Sequence, residues 1–157
     1  MKTAGKVCGF VVKYFYKPER RTDMSLEREA SYGAIKINDN IFARIILDAV
    51  ALTDGKVLCS TEKGKYPGGF DQRVSVGELL PHIRINETDE EYVLEFYIIM
   101  SFGASIKDNC VLMLDYIEEQ MKAMFPDKKG RILLKITGVK SKKIAPRDIQ
   151  IVRKYEP

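Results

Sequence analysis

The clearest alternation of apolar and polar positions lies in residues 91–102, "EYVLEFYIIMSF", which we expect to form a strand. Successive side chains of a strand point to opposite faces. One face is uniformly large and apolar, so helices should pack on it: Tyr92, Leu94, Phe96, Ile98 and Met100. The other face is mixed rather than hydrophilic: Val93, Glu95, Tyr97, Ile99 and Ser101. It therefore needs a cover, such as the N-terminal region, a second subunit or a partner.

Two segments repeat their apolar residues at helical spacing. Residues 39–53 follow Asn38, which can cap a helix, and their stripe comprises Ile41, Phe42, Ile45, Ile46, Ala49 and Val50. The second helix follows the corner at Gly103, with Ser105 as its cap and Asp108 three residues later. Its stripe comprises Ile106, Cys110, Met113, Ile117, Met121 and Met124. Both stripes predict core packing, although methionines also suit an adaptable binding groove.

Shorter patterns predict the remaining elements. Residues 6–16 are rich in β-branched and aromatic residues and predict an N-terminal strand, which a charged linker over 17–31 follows. Further strands are predicted at 34–38, 56–60, 82–87, 130–140 and 148–152, with a turn of helix at 77–80. The glycine-rich segment 54–72 is predicted to be mainly loop.

The order of these elements predicts an α+β fold: a two-layer β-α-β-β-α-β domain with a small mixed sheet, two helices on one face and an extra N-terminal strand. The chain of 157 residues is long enough for one ordinary domain. We divide it into an N-terminal extension, 1–30, an α+β domain, 31–140, and a basic C-terminal tail, 141–157.

Charge is distributed unevenly along the chain. Residues 1–21 carry a net charge of +5 and residues 128–157 a net charge of +8, whereas the middle carries −9. Basic ends suit contact with lipid headgroups or nucleic acid. They would equally serve to neutralise the acidic middle or to keep the chain soluble.

Few residues of this chain suggest catalysis. Cys8, Cys59 and Cys110 are far apart and form no C-x-x-C pair, which suits a reducing cytosol and argues against a disulfide framework or a zinc site. His82, the only histidine, has no evident partner cluster. No glycine pattern matches a dinucleotide-binding turn or a P-loop. We therefore expect no catalytic residue, no cofactor and no metal, and no transmembrane segment.

Three stretches resemble the bacterial alkaline shock protein family, also described as general stress proteins. They are "GAIKINDNIFARIILDAVALT", the hairpin "HIRINETDEEYVLEFYIIMSFGASIKDN" with its corner of Phe102, Gly103 and Ile106, and "GRILLKITGVK". Together they span roughly residues 32–140. The glycine-rich segment 54–72, the N-terminal strand and the basic tail depart from the family's pattern.

This resemblance implies a cytosolic β-α-β-β-α-β domain with no known enzymatic activity. It also implies a link to alkaline and general stress and to maintenance of the cell envelope. Members of the family tend to self-associate, and they can lie near the inner membrane face through protein partners.

The leading hypothesis is thus a non-enzymatic, stress-related adaptor or scaffold of the bacterial cell envelope, cytoplasmic or peripheral at the inner membrane face. It would form a homo-oligomer, with a membrane-associated protein as a further partner, through Val93, Tyr97 and Ile99 and with help from the basic ends. The alternative is a nucleic-acid-binding module with Tyr155 as a stacking group and phosphate contacts from Lys140, Lys142, Lys143, Arg147, Arg153 and Lys154. An enzyme or sensor built on Cys59 or Cys110 ranks last.

Overall fold

The computed structural model describes residues 26–30, 33–68 and 73–157. The predicted strand at 6–16 lies outside these residues. The strands are β1 (Leu26–Ala30), β2 (Gly33–Ile37), β3 (Val57–Ser60), β4 (Arg84–Glu87), β5 (Glu91–Ser101), β6 (Lys129–Lys140) and β7 (Ile144–Tyr155). The helices are α1 (Asn40–Ala51), α2 (Val76–Leu79) and α3 (Ile106–Met124), with a turn of 3-10 helix at Leu80–His82.

Strands β3 to β7 form one five-stranded sheet, and β1 and β2 form a separate antiparallel hairpin. The short strands β3 and β4 both pair with β5, at its C-terminal and N-terminal halves respectively. The β5–β6 pair is parallel because α3 crosses between them, and β6–β7 is antiparallel. The predicted α+β class with a mixed sheet is therefore confirmed.

The core lies between one face of this sheet and the helices. All five residues predicted on the apolar face of β5 are buried there, together with Ile132, Leu134 and Ile136 of β6. From α3 the core receives Cys110, Met113, Ile117 and Met121, which confirms the predicted stripe. In α1 the predicted stripe is buried at Phe42, Ile45, Ile46 and Ala49. Val50 is half-buried against the core, and Ile41, in the first turn of the helix, is exposed.

Local chemistry explains where α3 begins. Gly103 has a φ of +82°, a left-handed conformation that favours glycine and turns the chain out of β5. The Ser105 hydroxyl then accepts a 3.2 Å hydrogen bond from the Asp108 amide, as its predicted capping role requires. The corner at the end of β5 is thus a helix start.

Two sequence predictions need correction. Residues 17–31 were expected to be a linker, but Leu26–Ala30 pairs in antiparallel register with Gly33–Ile37. Hairpin pairing supplies backbone hydrogen bonds that local propensity does not reveal. The predicted short strand at 148–152 extends instead over Ile144–Tyr155, since nearly the whole of the basic tail pairs with β6.

Candidate interaction surface

The sheet face opposite the helices, here called the open face, has a carboxylate at its centre. Glu95 of β5 accepts a 2.7 Å hydrogen bond from the Lys135 ammonium and another of 2.7 Å from the Tyr97 hydroxyl. The Arg84 guanidinium lies 3.5 Å from the same carboxylate oxygen. Strand pairing explains the cluster, because Glu95 is directly opposite Arg84, and Lys135 is opposite Tyr97.

This arrangement holds Glu95 in its charged form. Only 14% of its side chain is exposed, and burial alone would raise its pKa. The hydrogen bonds from Lys135 and Tyr97 and the charge of Arg84 outweigh burial, so the pKa of Glu95 is lowered. Burial and the hydrogen bond to Glu95 raise the pKa of Tyr97, which therefore remains a neutral donor. The cluster is an ion network that positions strands.

The residues predicted to mediate association do not form one accessible surface. Tyr97 is 3% exposed and Ile99 is fully buried, whereas Val93 is half-buried. Their alternation correctly indicated a face that needs cover. Because this chain itself buries two of the three, Tyr97 and Ile99 are not available as contact residues.

Part of the cover comes from residues 61–68, which were predicted as loop but not as a cover of this face. Thr137 lies at an irregularity in the β5–β6 register, and its hydroxyl is 2.7 Å from that of Ser60. Gly64 passes directly above, since a Cβ there would lie 3.5 Å from the Thr137 carbonyl oxygen. The Lys140 ammonium is 5.3 Å from the centre of the Tyr66 ring. The loop thus packs on the open face near the C-terminal end of β6.

The outer edge of β7 is accessible. Among the described residues, β7 pairs only with β6, so its second backbone edge has no strand partner there. Side chains from Ala145 to Asp148 are exposed, as are Gln150 and Lys154, whereas Ile149, Ile151 and Val152 are half-buried. A twelve-residue strand with one unpaired edge is a template for pairing with another chain.

The C-terminal end of β7 is anchored in the core. Tyr155 is 7% exposed, and its hydroxyl hydrogen-bonds to that of Tyr92. Burial and this hydrogen bond raise the pKa of Tyr155. The ring lies against Gly130 of β6, which leaves no room for a Cβ. Tyr155 is therefore a core residue, and the prediction that it stacks on nucleic-acid bases is wrong.

The basic residues predicted to contact phosphates fall into two groups. Lys140, Lys142, Lys143 and Arg147 lie around the β6–β7 turn, whereas Arg153 and Lys154 lie at the other end of β7. Arg147 and Arg153 are separated by roughly 20 Å of strand. Arg153 is also bound to α3, because its guanidinium lies 2.5 Å from Asp115 and 3.0 Å from Glu118. The predicted phosphate-binding set is thus not one surface.

The thiols and the histidine show no catalytic arrangement within the described ranges. Cys59 and Cys110 are buried, and burial raises the pKa of Cys59 to about 12, so its thiol is protonated at neutral pH. His82 is half-exposed at the end of its 3-10 turn. In the described part of the chain, no group of three or more histidine, cysteine or acidic side chains could hold a metal. No helix there has both the length and the apolar character to cross a membrane.

Comparison with protein-family models, with curated proteins and with solved structures finds no match for this chain. The resemblance to alkaline shock proteins therefore stays a prediction from sequence.

Proposed function

We propose that this chain is a non-enzymatic adaptor or scaffold that works by pairing with a second copy of itself and by contacting other proteins. The unpaired edge of β7 carries this proposal. It offers backbone donors and acceptors along a twelve-residue strand, and pairing them with another strand requires no rearrangement of the sheet. The residues proposed earlier, Tyr97 and Ile99, are replaced by this edge because they are buried.

The two ends of β7 differ in their suitability for pairing. Pro146 lacks a backbone N–H, and its neighbour Arg147 is exposed, and both features discourage strand addition. The stretch from Asp148 to Tyr155 contains no proline and includes the half-buried Ile149, Ile151 and Val152. We therefore place the contact between two copies on this second stretch.

Charge selects one register for two antiparallel copies. When Ile151 lies opposite its own copy, Asp148 of each chain faces Lys154 of the other, so symmetry produces two opposite-charge pairs. When Gln150 lies opposite its own copy, Arg147 faces Arg153 and the pairs repel. The register centred on Ile151 also places two isoleucines in contact beside the core face. Pairing in this register joins the five-stranded sheets of the two copies into one continuous sheet.

Charge reversal at these positions tests the register. Asp148→Lys and Lys154→Asp each replace two attractive pairs with two repulsive ones, and each should raise the dimer dissociation constant about tenfold or more. The double variant, D148K with K154D, restores opposite charges and should recover most of the affinity. Sedimentation velocity over a range of protein concentrations measures all four dissociation constants.

Asp48→Lys is a matched control for charge. Asp48 is in α1, and its exposed pair with Arg44 contributes little to stability. This variant should dimerise like the parent chain. A chain that stays monomeric at every accessible concentration would refute self-association, and a double variant as weak as the single ones would refute the register.

The biological setting of the proposal, a stress-related role at the bacterial cell envelope, is supported by the sequence resemblance over residues 32–140. We place the protein in the cytoplasm, with a membrane-associated protein as partner. Capture from a native lysate divided into membrane and soluble fractions tests this setting. Recovery of partners from the soluble fraction alone would count against the envelope.

A further inference from the structure

One end of the sheet brings together three turns that carry lysines and an exposed aromatic ring. The Phe102 amide donates a 2.7 Å hydrogen bond to the Lys140 carbonyl, and the Ser101 amide donates one of 2.8 Å to the Lys56 carbonyl. The β6–β7 turn, with Lys142 and Lys143, closes through a 3.1 Å bond from the Ser141 amide to the Lys143 carbonyl. We call this region the lysine end: Lys56, Phe102, Lys107, Lys140, Lys142 and Lys143.

Phe102 is the most exposed of the large apolar side chains described, at 78%. Its backbone is held between Lys140 and the start of α3, so the ring projects from a fixed base into solvent. A lone exposed apolar residue is ordinary. An exposed ring on a turn whose backbone is hydrogen-bonded to Lys140, beside a second turn that carries Lys56, is suited to a membrane surface, where anionic headgroups cover an apolar interior.

The lysines of this end differ from the basic residues at the opposite end of the sheet. Within the described residues, no ion pair involves any of the five lysines of the lysine end. At the opposite end, Lys128 pairs with Glu87, Lys129 with Glu156 and Arg131 with Glu91. Among the described residues, basic side chains are therefore paired with carboxylates at one end of the sheet and are not so paired at the other.

The net charge of the three turns at the lysine end is also positive. Residues 52–56, 102–108 and 140–143 contain five lysines and two aspartates, Asp54 and Asp108, which gives a net charge of +3. Four of the lysines are exposed, and Lys140 is half-exposed. An anionic membrane surface attracts such a cluster, and the attraction decays within about 10 Å at ordinary salt concentrations.

We propose that the lysine end binds directly to the surface of an anionic lipid bilayer, with Phe102 inserted among the headgroups. Because the three turns lie at the same end of the sheet, they can contact the flat surface of a bilayer at the same time. A single-stranded nucleic-acid site would instead stack successive bases on several rings along a basic groove, and among the described residues Phe102 is the one aromatic side chain that is exposed. This lipid contact is independent of the β7 pairing and adds a direct attachment to the protein-mediated one.

The chain has no tryptophan, so Phe102→Trp introduces a single fluorescent reporter at the tip. Vesicles of phosphatidylcholine mixed with phosphatidylglycerol should shift its emission to shorter wavelength, because insertion removes water from the indole. Vesicles of phosphatidylcholine alone should leave the emission unchanged. Emission that is unchanged with both kinds of vesicle would overturn the proposal.

Vesicle co-sedimentation of the otherwise unaltered chain tests the two contributions separately. Phe102→Ser should weaken binding about tenfold, and Lys142→Glu should also weaken it about tenfold. Their matched controls are Leu112→Ser, another exposed apolar residue, and Lys129→Glu at the opposite end. Equal losses in the variants and their controls would overturn the assignment of the site.

Two further experiments distinguish lipid binding from self-association and from nucleic-acid binding. The Asp148→Lys variant, weakened in self-association, should still bind anionic vesicles, so failure of the dimer and failure of lipid binding are distinguishable. A mixed-sequence single-stranded oligonucleotide is the second ligand. Binding of the oligonucleotide at a salt concentration where anionic vesicles do not bind would replace the lipid surface with nucleic acid.

Discussion

Gly130→Ala tests whether β7 belongs to the folded core or is a tail. Gly130 is buried in β6, directly opposite Tyr155 of β7. A Cβ built at Gly130 would lie 2.1 Å from the Cζ atom of the Tyr155 ring and 2.2 Å from its hydroxyl oxygen. Both distances are well below van der Waals contact, so the alanine variant must displace the ring.

The cost of this displacement can be estimated from the contacts of Tyr155. Inserting a methyl group into a packed core costs about 1–3 kcal/mol. A displaced ring also loses its hydrogen bond to Tyr92, whose net contribution is about 1 kcal/mol. We expect Gly130→Ala to lower the free energy of unfolding by about 2–4 kcal/mol, a large part of the stability of a typical domain.

Urea unfolding followed by circular dichroism measures this loss, and a double-mutant cycle assigns it. Tyr155→Ala alone should cost about 3 kcal/mol, because it empties part of the core. In the Tyr155→Ala background, Gly130→Ala should cost almost nothing, since the atoms that it displaces are gone. Gly77→Ala is the control, because nothing lies within 4 Å of a Cβ at that position. An equal cost of Gly130→Ala in both backgrounds would refute the reasoning.

Three further predictions concern other parts of the fold. In a Cys8→Ser variant, the native thiols of Cys59 and Cys110 should not react with a disulfide reagent at pH 8 and should react after unfolding; fast native reaction would contradict their burial. Glu95→Gln should destabilise the chain by about 1–2 kcal/mol at neutral pH. Because the folded pKa of Glu95 is lowered, its stabilisation is present above the ordinary glutamate pKa and is lost as the pH falls through the folded value. The gap between parent and variant in urea midpoints should therefore close in acid, and a constant gap would be contrary to the account. Ser105→Ala should cost about 1 kcal/mol by removing the cap of α3, and an unchanged melting temperature would exclude that role.

The elements that the sequence predicts best are those whose residues share one periodicity. β5 alternates over eleven residues and α3 repeats over nineteen, so burial of one face determines both. The capping serine of α3 is equally local, because its partner amide is three residues away. The class of fold follows from these few segments and their order.

The remaining features depend on contacts between distant residues. The tail from Ile144 to Tyr155 contains proline and many charges, and its strand exists because β6 lies beside it. Arg153 resembles a free basic residue until α3 places Asp115 and Glu118 against it. Tyr97 and Ile99 lie on a face whose composition predicts a cover, but their own segment does not reveal that other parts of this chain bury them.

The candidate surfaces also combine features that are visible in the sequence with features that depend on contacts between distant residues. The mixed composition around Glu95 was visible in the sequence, because one carboxylate interrupts an apolar strand. Its partners, Arg84 and Lys135, come from neighbouring strands and could not be assigned without the register. Phe102 was predicted as part of a corner, and its place among lysines follows only from the meeting of three turns.

The central claim, that the open edge of β7 is the contact between copies, is tested most directly by hydrogen exchange. Backbone amides of β7 that point away from β6 should exchange rapidly in dilute protein and slowly at concentrations where dimers form, because pairing occupies them. Exchange in α1 should not change between the two concentrations. Dimers whose β7 amides exchange as rapidly as those of the monomer would contradict the claim.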